Sequence, residues 1–177
     1  MLAQTIGALC GRRRVRVPRQ MTDGVVTLRC YRYTDLPQLY PLVHPEVVWH
    51  ANGMVQHETP SFTAFCLWML TTFPLAYVIE VGEHSRRSVG FVGIYNLTLG
   101  QHLWVSMAIL QPADRRQGYG HRALSLLLAN LAQHKVVDVV YADVLKTNEP
   151  SQRLCARLGF VPAGEEATRL RLVKCLR

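Results

Sequence analysis

The chain has 177 residues, of which 49% are hydrophobic and 18% charged. That length holds one domain with its own core, and that composition excludes a disordered chain. A net charge of +8 favours anionic partners, whether a phosphorylated cofactor, nucleic acid or a membrane surface.

The charge is uneven along the chain. Arg12, Arg13, Arg14, Arg16 and Arg19 precede the first patterned segment, so residues 1–24 read as a basic extension and residues 25–177 as the domain. Residues 1–10 are mildly apolar, but their charges follow rather than lead, which is the wrong order for a secretory signal. Met21 is a second candidate start. The cysteines Cys10, Cys30, Cys66, Cys155 and Cys175 are odd in number and form no C-x-x-C pair. They read as reduced thiols of a cytoplasmic protein, with no zinc site.

Residues 25–31 are rich in β-branched side chains and predict a first strand. Thr34 or Asp35 then caps a short helix that Pro41 and Pro45 interrupt. Residues 44–59 lack periodicity and carry His44, Glu46, Trp49, His50, Asn52, His57 and Glu58. Such a loop either lines a binding site or is solvated with Trp49 tucked inward. Ser61 caps a helix over residues 62–71, read as buried because residues 62–73 are apolar yet too few to span a bilayer. Residues 75–81, 89–97 and 102–110 predict three antiparallel strands, with Gly90 and Gly93 marking a bulge or a close approach. A long amphipathic helix follows to about His134, carrying Leu124, Leu127, Leu128 and Leu131. Residues 136–144 read as a central strand covered on both faces. Asn148 opens a further helix that stops at Gly159, and residues 160–161 and 168–176 close the sheet across Gly164. The order predicts a single mixed α/β (α+β) domain with about seven mostly antiparallel strands.

Between the strand ending at Leu110 and the long helix lies Arg115-Arg116-Gln117-Gly118-Tyr119-Gly120. Glycines there let backbone N–H groups approach an anion, and the helix that follows points its unpaired N–H groups at the same place. Arginines add charge-assisted contacts. The plainer alternative is a turn needing glycine for steric reasons alone.

This stretch matches the R/Q-x-x-G-x-G/A signature of the GNAT acetyltransferase superfamily. Asn148 to Phe160, an asparagine-led helix ending in Leu158-Gly159-Phe160, resembles that family's second motif. Leu28-Arg29 and Thr34-Asp35-Leu36 are similar to the front of its ribosomal-protein N-terminal (alanine/serine) acetyltransferase branch. The resemblance covers roughly residues 25–176. It implies a sheet splayed between the strands at 102–110 and 136–144, with acetyl-coenzyme A as co-substrate. The pyrophosphate grip would be Arg115 with the backbone of Gln117, Gly118, Tyr119, Gly120, His121 and Arg122. The pantetheine arm would run along Met107, Ala108 and Ile109, held by Asn148, whose plain alternative is a helix cap.

The chemistry required is amine deprotonation, carbonyl polarisation and leaving-group protonation, with both reactants held in line. Cys155 stands where many members place a tyrosine acid, so Ser151 is the expected acid. The strand at 102–110 lacks the family's usual glutamate. Candidate bases are His102, Ser106 through a water, or a group from the 44–59 loop. The expected acceptor is a peptide N-terminus or a small amine, and a homodimer is allowed for. A membrane is not expected, and neither is nucleic acid, because no aromatic-interleaved basic motif accompanies the arginine cluster. A non-catalytic acyl-CoA sensor with the same fold is the alternative function.

Overall fold

The structure is a computed structural model of the chain, in which residues 17–44, 58–83 and 85–177 are described. Arg12, Arg13, Arg14 and Arg16, and the loop residues Glu46, Trp49, His50, Asn52 and His57, lie outside the described residues.

The strands are β1 (Gln20–Thr22), β2 (Val26–Cys30), β3 (Leu75–Val81), β4 (Arg87–Thr98), β5 (His102–Ile109), β6 (Val139–Leu145), β7 (Val161–Glu165) and β8 (Arg169–Cys175). The helices are α1 (Leu36–Leu39), α2 (Phe62–Thr72), α3 (Tyr119–Gln133) and α4 (Glu149–Arg157). The strands form one sheet in the order β1-β2-β3-β4-β5-β6-β8-β7. Only β5 and β6 pair in parallel, because α3 makes the crossover between them.

The strand beyond the expected seven is β1. Three residues with one buried side chain, Met21, carry no readable period. It nonetheless draws residues 20–22 into the sheet, and the Tyr77 hydroxyl donates to the Pro18 carbonyl at 2.9 Å. Gly164 does not join the closing strands. It lies within β7, beside a register shift between Pro162 and Gly164.

Each face of the sheet has its own core. Leu124, Leu127, Leu128 and Leu131 of α3 pack on Leu28, Ile79, Val92 and Leu103, each buried leucine contributing about 2 kcal/mol. On the other face, Leu36, Leu39, Phe65, Met69, Phe73 and Phe91 form a second cluster. Gly93 provides the close approach there, since a β-carbon would collide with the Phe73 ring.

Two expectations are corrected. α2, capped by Ser61 as expected, is only half covered: Phe65 and Met69 are buried, but Leu67 is 62% exposed and Trp68 42%. β6 is not covered on both faces either, since Val140, Ala142 and Val144 are buried while Tyr141 and Asp143 stay partly open.

Candidate active site

β5 and β6 pair over three rungs, His102 with Val139, Leu103 with Val140 and Trp104 with Tyr141. β5 remains paired to β4 as far as Ile109, and β6 to β8 as far as Leu145. Past the Trp104–Tyr141 rung the two strands part, giving the splay expected of the fold. From Ser106 onward, β5 therefore has a backbone edge without a strand partner on the β6 side. A cavity of about 120 Å³ opens there. Met107 of β5, Leu124 of α3, and Asn148, Ser151 and Cys155 of α4 line one side of it, with Tyr95, Ser106, Asp143 and Arg169 on the other. The sides follow from the two-residue period of the strands. Tyr95 pairs with Trp104 and Trp104 with Tyr141, while Asp143, two residues beyond Tyr141 on the same face of β6, pairs with Arg171 of β8.

The N-terminus of α3 abuts this cavity. Gly118 is the residue before the first turn, with φ of +80°, and no side chain caps it. Only glycine adopts that conformation without strain. Gly120 serves a different need, because a β-carbon there would sit 2.9 Å from Met107 Cε and 3.8 Å from Leu154 Cδ2. Arg116 is also left-handed, with φ of +62°. Left-handed residues within a turn bring successive amides to face one anion. Arg115 N–H donates to Pro112 and Arg122 N–H to Gly118, both at 3.1 Å, so the amides in between, including Gln117, Tyr119 and His121, are those at the open helix end. This removes the Arg122 amide from the expected grip. The Arg122 guanidinium instead bonds Asp23 at 3.0 Å.

The turn is fixed from behind. Asp114 is buried and accepts from Arg87 at 2.8 and 2.6 Å, and this guanidinium holds its carboxyl below the usual range. On α4, Asn148 Oδ1 accepts from the Ser151 amide at 3.2 Å, so the cap role is real and leaves the side-chain NH₂ group for another acceptor. Ser151 and Cys155 are one helical turn apart and both reach the cavity. Burial pushes the Cys155 thiol up to about 11, so it is protonated at neutral pH and not a thiolate nucleophile.

His102 is not brought to this site. It heads β5 before the last paired rung, with its ring centroid 5.3 Å from Trp104 and 6.2 Å from Tyr141. Four residues of strand, about 13 Å, separate it from Ser106. Its packing against two aromatic rings is the physical reason it falls away from the gap. Ala108 and Ile109 lie on the free edge of β5, outside the cavity lining. His121 faces a larger groove of about 440 Å³ beside Arg157 and Lys174. Away from the gap, Glu80 of β3 is held by Arg29 at 2.8 Å.

Tyr95, Asp143 and Arg169 were not foreseeable as site residues. Their convergence depends on the register between β6 and β8, for which the sequence carries no local signal.

The model of the acetyltransferase (GNAT) domain family matches residues 26–161. The chain belongs to the GNAT family. As a GNAT acetyltransferase it shares its fold with a domain from Methanocaldococcus jannaschii (TM-score 0.76, 18% identity, covering 86% of this chain and 99% of that one). It also resembles a spermidine N-acetyltransferase from Vibrio cholerae solved with CoA and spermine (TM-score 0.73, 16% identity, 87% and 97% covered). RimL, a ribosomal alpha-N-protein acetyltransferase solved with coenzyme A, matches at TM-score 0.68 with 14% identity over 85% of this chain and 94% of its own. No curated protein sequence matches this GNAT chain. At such identities the likeness carries the fold, and it does not single out the ribosomal-protein branch.

Proposed function

We propose that the chain moves an acetyl group from acetyl-CoA to a primary amine, either a peptide N-terminus or a small amine, by direct attack in a ternary complex. The observation that carries this is the parting of β5 from β6 after the Trp104–Tyr141 rung, beside an α3 N-terminus whose cap residue, Gly118, supplies no side-chain hydrogen bond. The residues present fit the donor: an open helix end and Arg115 for the pyrophosphate, the free edge of β5 at Met107, Ala108 and Ile109 for the pantetheine amides, and the Asn148 NH₂ group beside them. The donor supplies an activated acetyl carbonyl, and no covalent enzyme intermediate is needed.

In this reading the chain's residues act as follows. The helix end and Arg115 bind and orient the donor. Unpaired N–H groups of β5 polarise the carbonyl. Ser151, whose amide is tied to Asn148, presents its hydroxyl to the leaving sulfur. Ser106, exposed at the gap, relays the amine proton through water. His102 is left out of the proposal because of its packing. The free cysteines, including buried Cys155, fit a reducing cytoplasmic compartment. Among the described residues no helix is long and apolar enough to cross a membrane.

The sensor reading draws on one observation: the carboxylate lining the gap, Asp143, is already paired with Arg171 at 2.9 and 3.1 Å, which is poor preparation for a base. Titration calorimetry with CoA, alongside thiol release from acetyl-CoA over a panel of amines, separates the two. Thiol release that depends on amine supports the enzyme, and CoA binding without release on any amine supports the sensor.

A further inference from the structure

The face of the sheet turned away from α3 and α4 carries an apolar row that crosses five strands in register. Tyr95 of β4 pairs with Trp104 of β5, Trp104 with Tyr141 of β6, Tyr141 with Val173 of β8, and Val173 with Val161 of β7. None of the five is fully buried, and Val161 is 57% exposed. Trp104 and Tyr141 stack at 4.5 Å, and Phe73 meets the Tyr95 ring edge-on at 6.0 Å, so the aromatic end of the row is held in place. That end adjoins the gap. Tyr95 and Ser106 both line it, and Ser106 lies two residues along β5 from Trp104, about 7 Å, on the same face. The acidic charge on this side is already paired. Asp143, the carboxylate among the described lining residues, is in the two-point grip of Arg171, which is shared further with Glu166 at 3.0 Å. A second ammonium group on an acceptor therefore finds no free carboxylate among the described lining residues, whereas an apolar ring finds a row of rings.

From this, resting on the acetyltransferase reading above, we infer that the acceptor is an arylalkylamine, a monoamine with its aromatic ring a short linker away from the nitrogen. Its amine reaches the free edge of β5 at Ser106. Its ring lies one pleat back, against Tyr95 and the open rim of the Trp104–Tyr141 stack. The row is continuous with the gap, so its occupant is a group attached to the reacting amine. A linker of about two carbons spans the step of about 7 Å from Ser106 to Trp104 once the ring itself covers part of it. Aromatic side chains favour such edge and offset contacts with another ring and bury a large apolar area in making them. Tyr95, which belongs to both the row and the gap lining, is thus a specificity-determining residue.

The test is amine-dependent thiol release from acetyl-CoA with phenethylamine, ethylamine, spermidine and trialanine as acceptors. Phenethylamine is expected to exceed each of the others in kcat/KM by about tenfold to hundredfold, the range for removing one aromatic ring from water. Tyr95→Phe keeps the ring and is expected to keep the preference of phenethylamine over ethylamine. Tyr95→Ala is expected to lower that preference by about threefold to tenfold. Tyr95→Leu, which keeps an apolar side chain in the row, is expected to lower it by about threefold and serves where the alanine variant does not fold. Calorimetry with CoA shows which variants are folded. Equal or better turnover of ethylamine, spermidine or trialanine by the wild type overturns the inference while leaving the acetyltransferase reading intact. A preference that is unchanged in the folded alanine or leucine variant overturns it too. No turnover of any amine, with CoA still bound, overturns both.

Discussion

Trp104 stacks on Tyr141, with ring centroids 4.5 Å apart and planes at 24°, on the last rung where β5 and β6 remain hydrogen-bonded. The stack holds the closed end of the fork, and everything assigned to the donor lies beyond it. Trp104→Ala should cost about 1–3 kcal/mol, below the range for a fully buried tryptophan because this ring is half-buried. CoA affinity should fall with it. Denaturant unfolding and calorimetry check the pair, and a variant of unchanged stability and affinity would remove the stack from the account.

Gly118 and Gly120 should fail for different reasons. Gly118→Ala places a β-carbon at φ of +80°, a strain of about 1–2 kcal/mol, and Gly118→Asp adds a carboxylate at the anion end of α3. The aspartate variant should lose more CoA affinity than the alanine one. Gly120→Ala instead makes the flexible end of Met107 shift, so its loss should be small and Met107→Ala should relieve it. Additive losses in that double-mutant cycle would contradict the packing explanation.

Asp114, next to the Arg115–Gly120 turn, ties that turn to β4 through Arg87. Because the guanidinium lowers its folded pKa, its stabilisation is complete above the unfolded carboxylate value of about 3.9. It is lost as pH falls through the lower folded value. Asp114→Asn should flatten that part of the acid unfolding curve and loosen CoA binding at neutral pH. An unaltered acid limb would show that the pair contributes nothing.

Cys155 behaves in the opposite sense. Its thiol, pushed up to about 11 by burial, favours the folded state below the unfolded value of about 8.5, and that contribution fades as pH rises toward the folded one. Alkylation of the native protein at pH 8 should be far slower at Cys155 than at exposed Cys175. Cys155→Ala should keep turnover within about threefold, whereas Ser151→Ala should lower kcat more than CoA affinity. The reverse pattern would transfer the acid role from Ser151 to Cys155.

The elements assigned to the donor were legible because they are local. Arg115 to Gly120 reads as an open helix start from glycine and strand–helix order alone, and the Asn148 cap and the Gly159 stop lie within one short helix. The residues lining the opposite side of the cavity were not, because register brings them together. Nothing near Tyr95, Asp143 or Arg169 in sequence signals that β8 folds back against β6 and sets Arg171 on Asp143. His102 misled for a similar reason: its chemistry suits a base, but its distance from the gap is counted in rungs that only pairing defines. β1 escaped notice because three residues cannot display a period.

The most direct measurement is product mass spectrometry of the full chain incubated with acetyl-CoA and an amine panel, with CoA thiol counted in parallel. The account predicts one acetylated amine for each CoA released, with release lost in Gly118→Asp. Bound acetyl-CoA that survives intact with every amine, or thiol release without an acetylated amine, would contradict it.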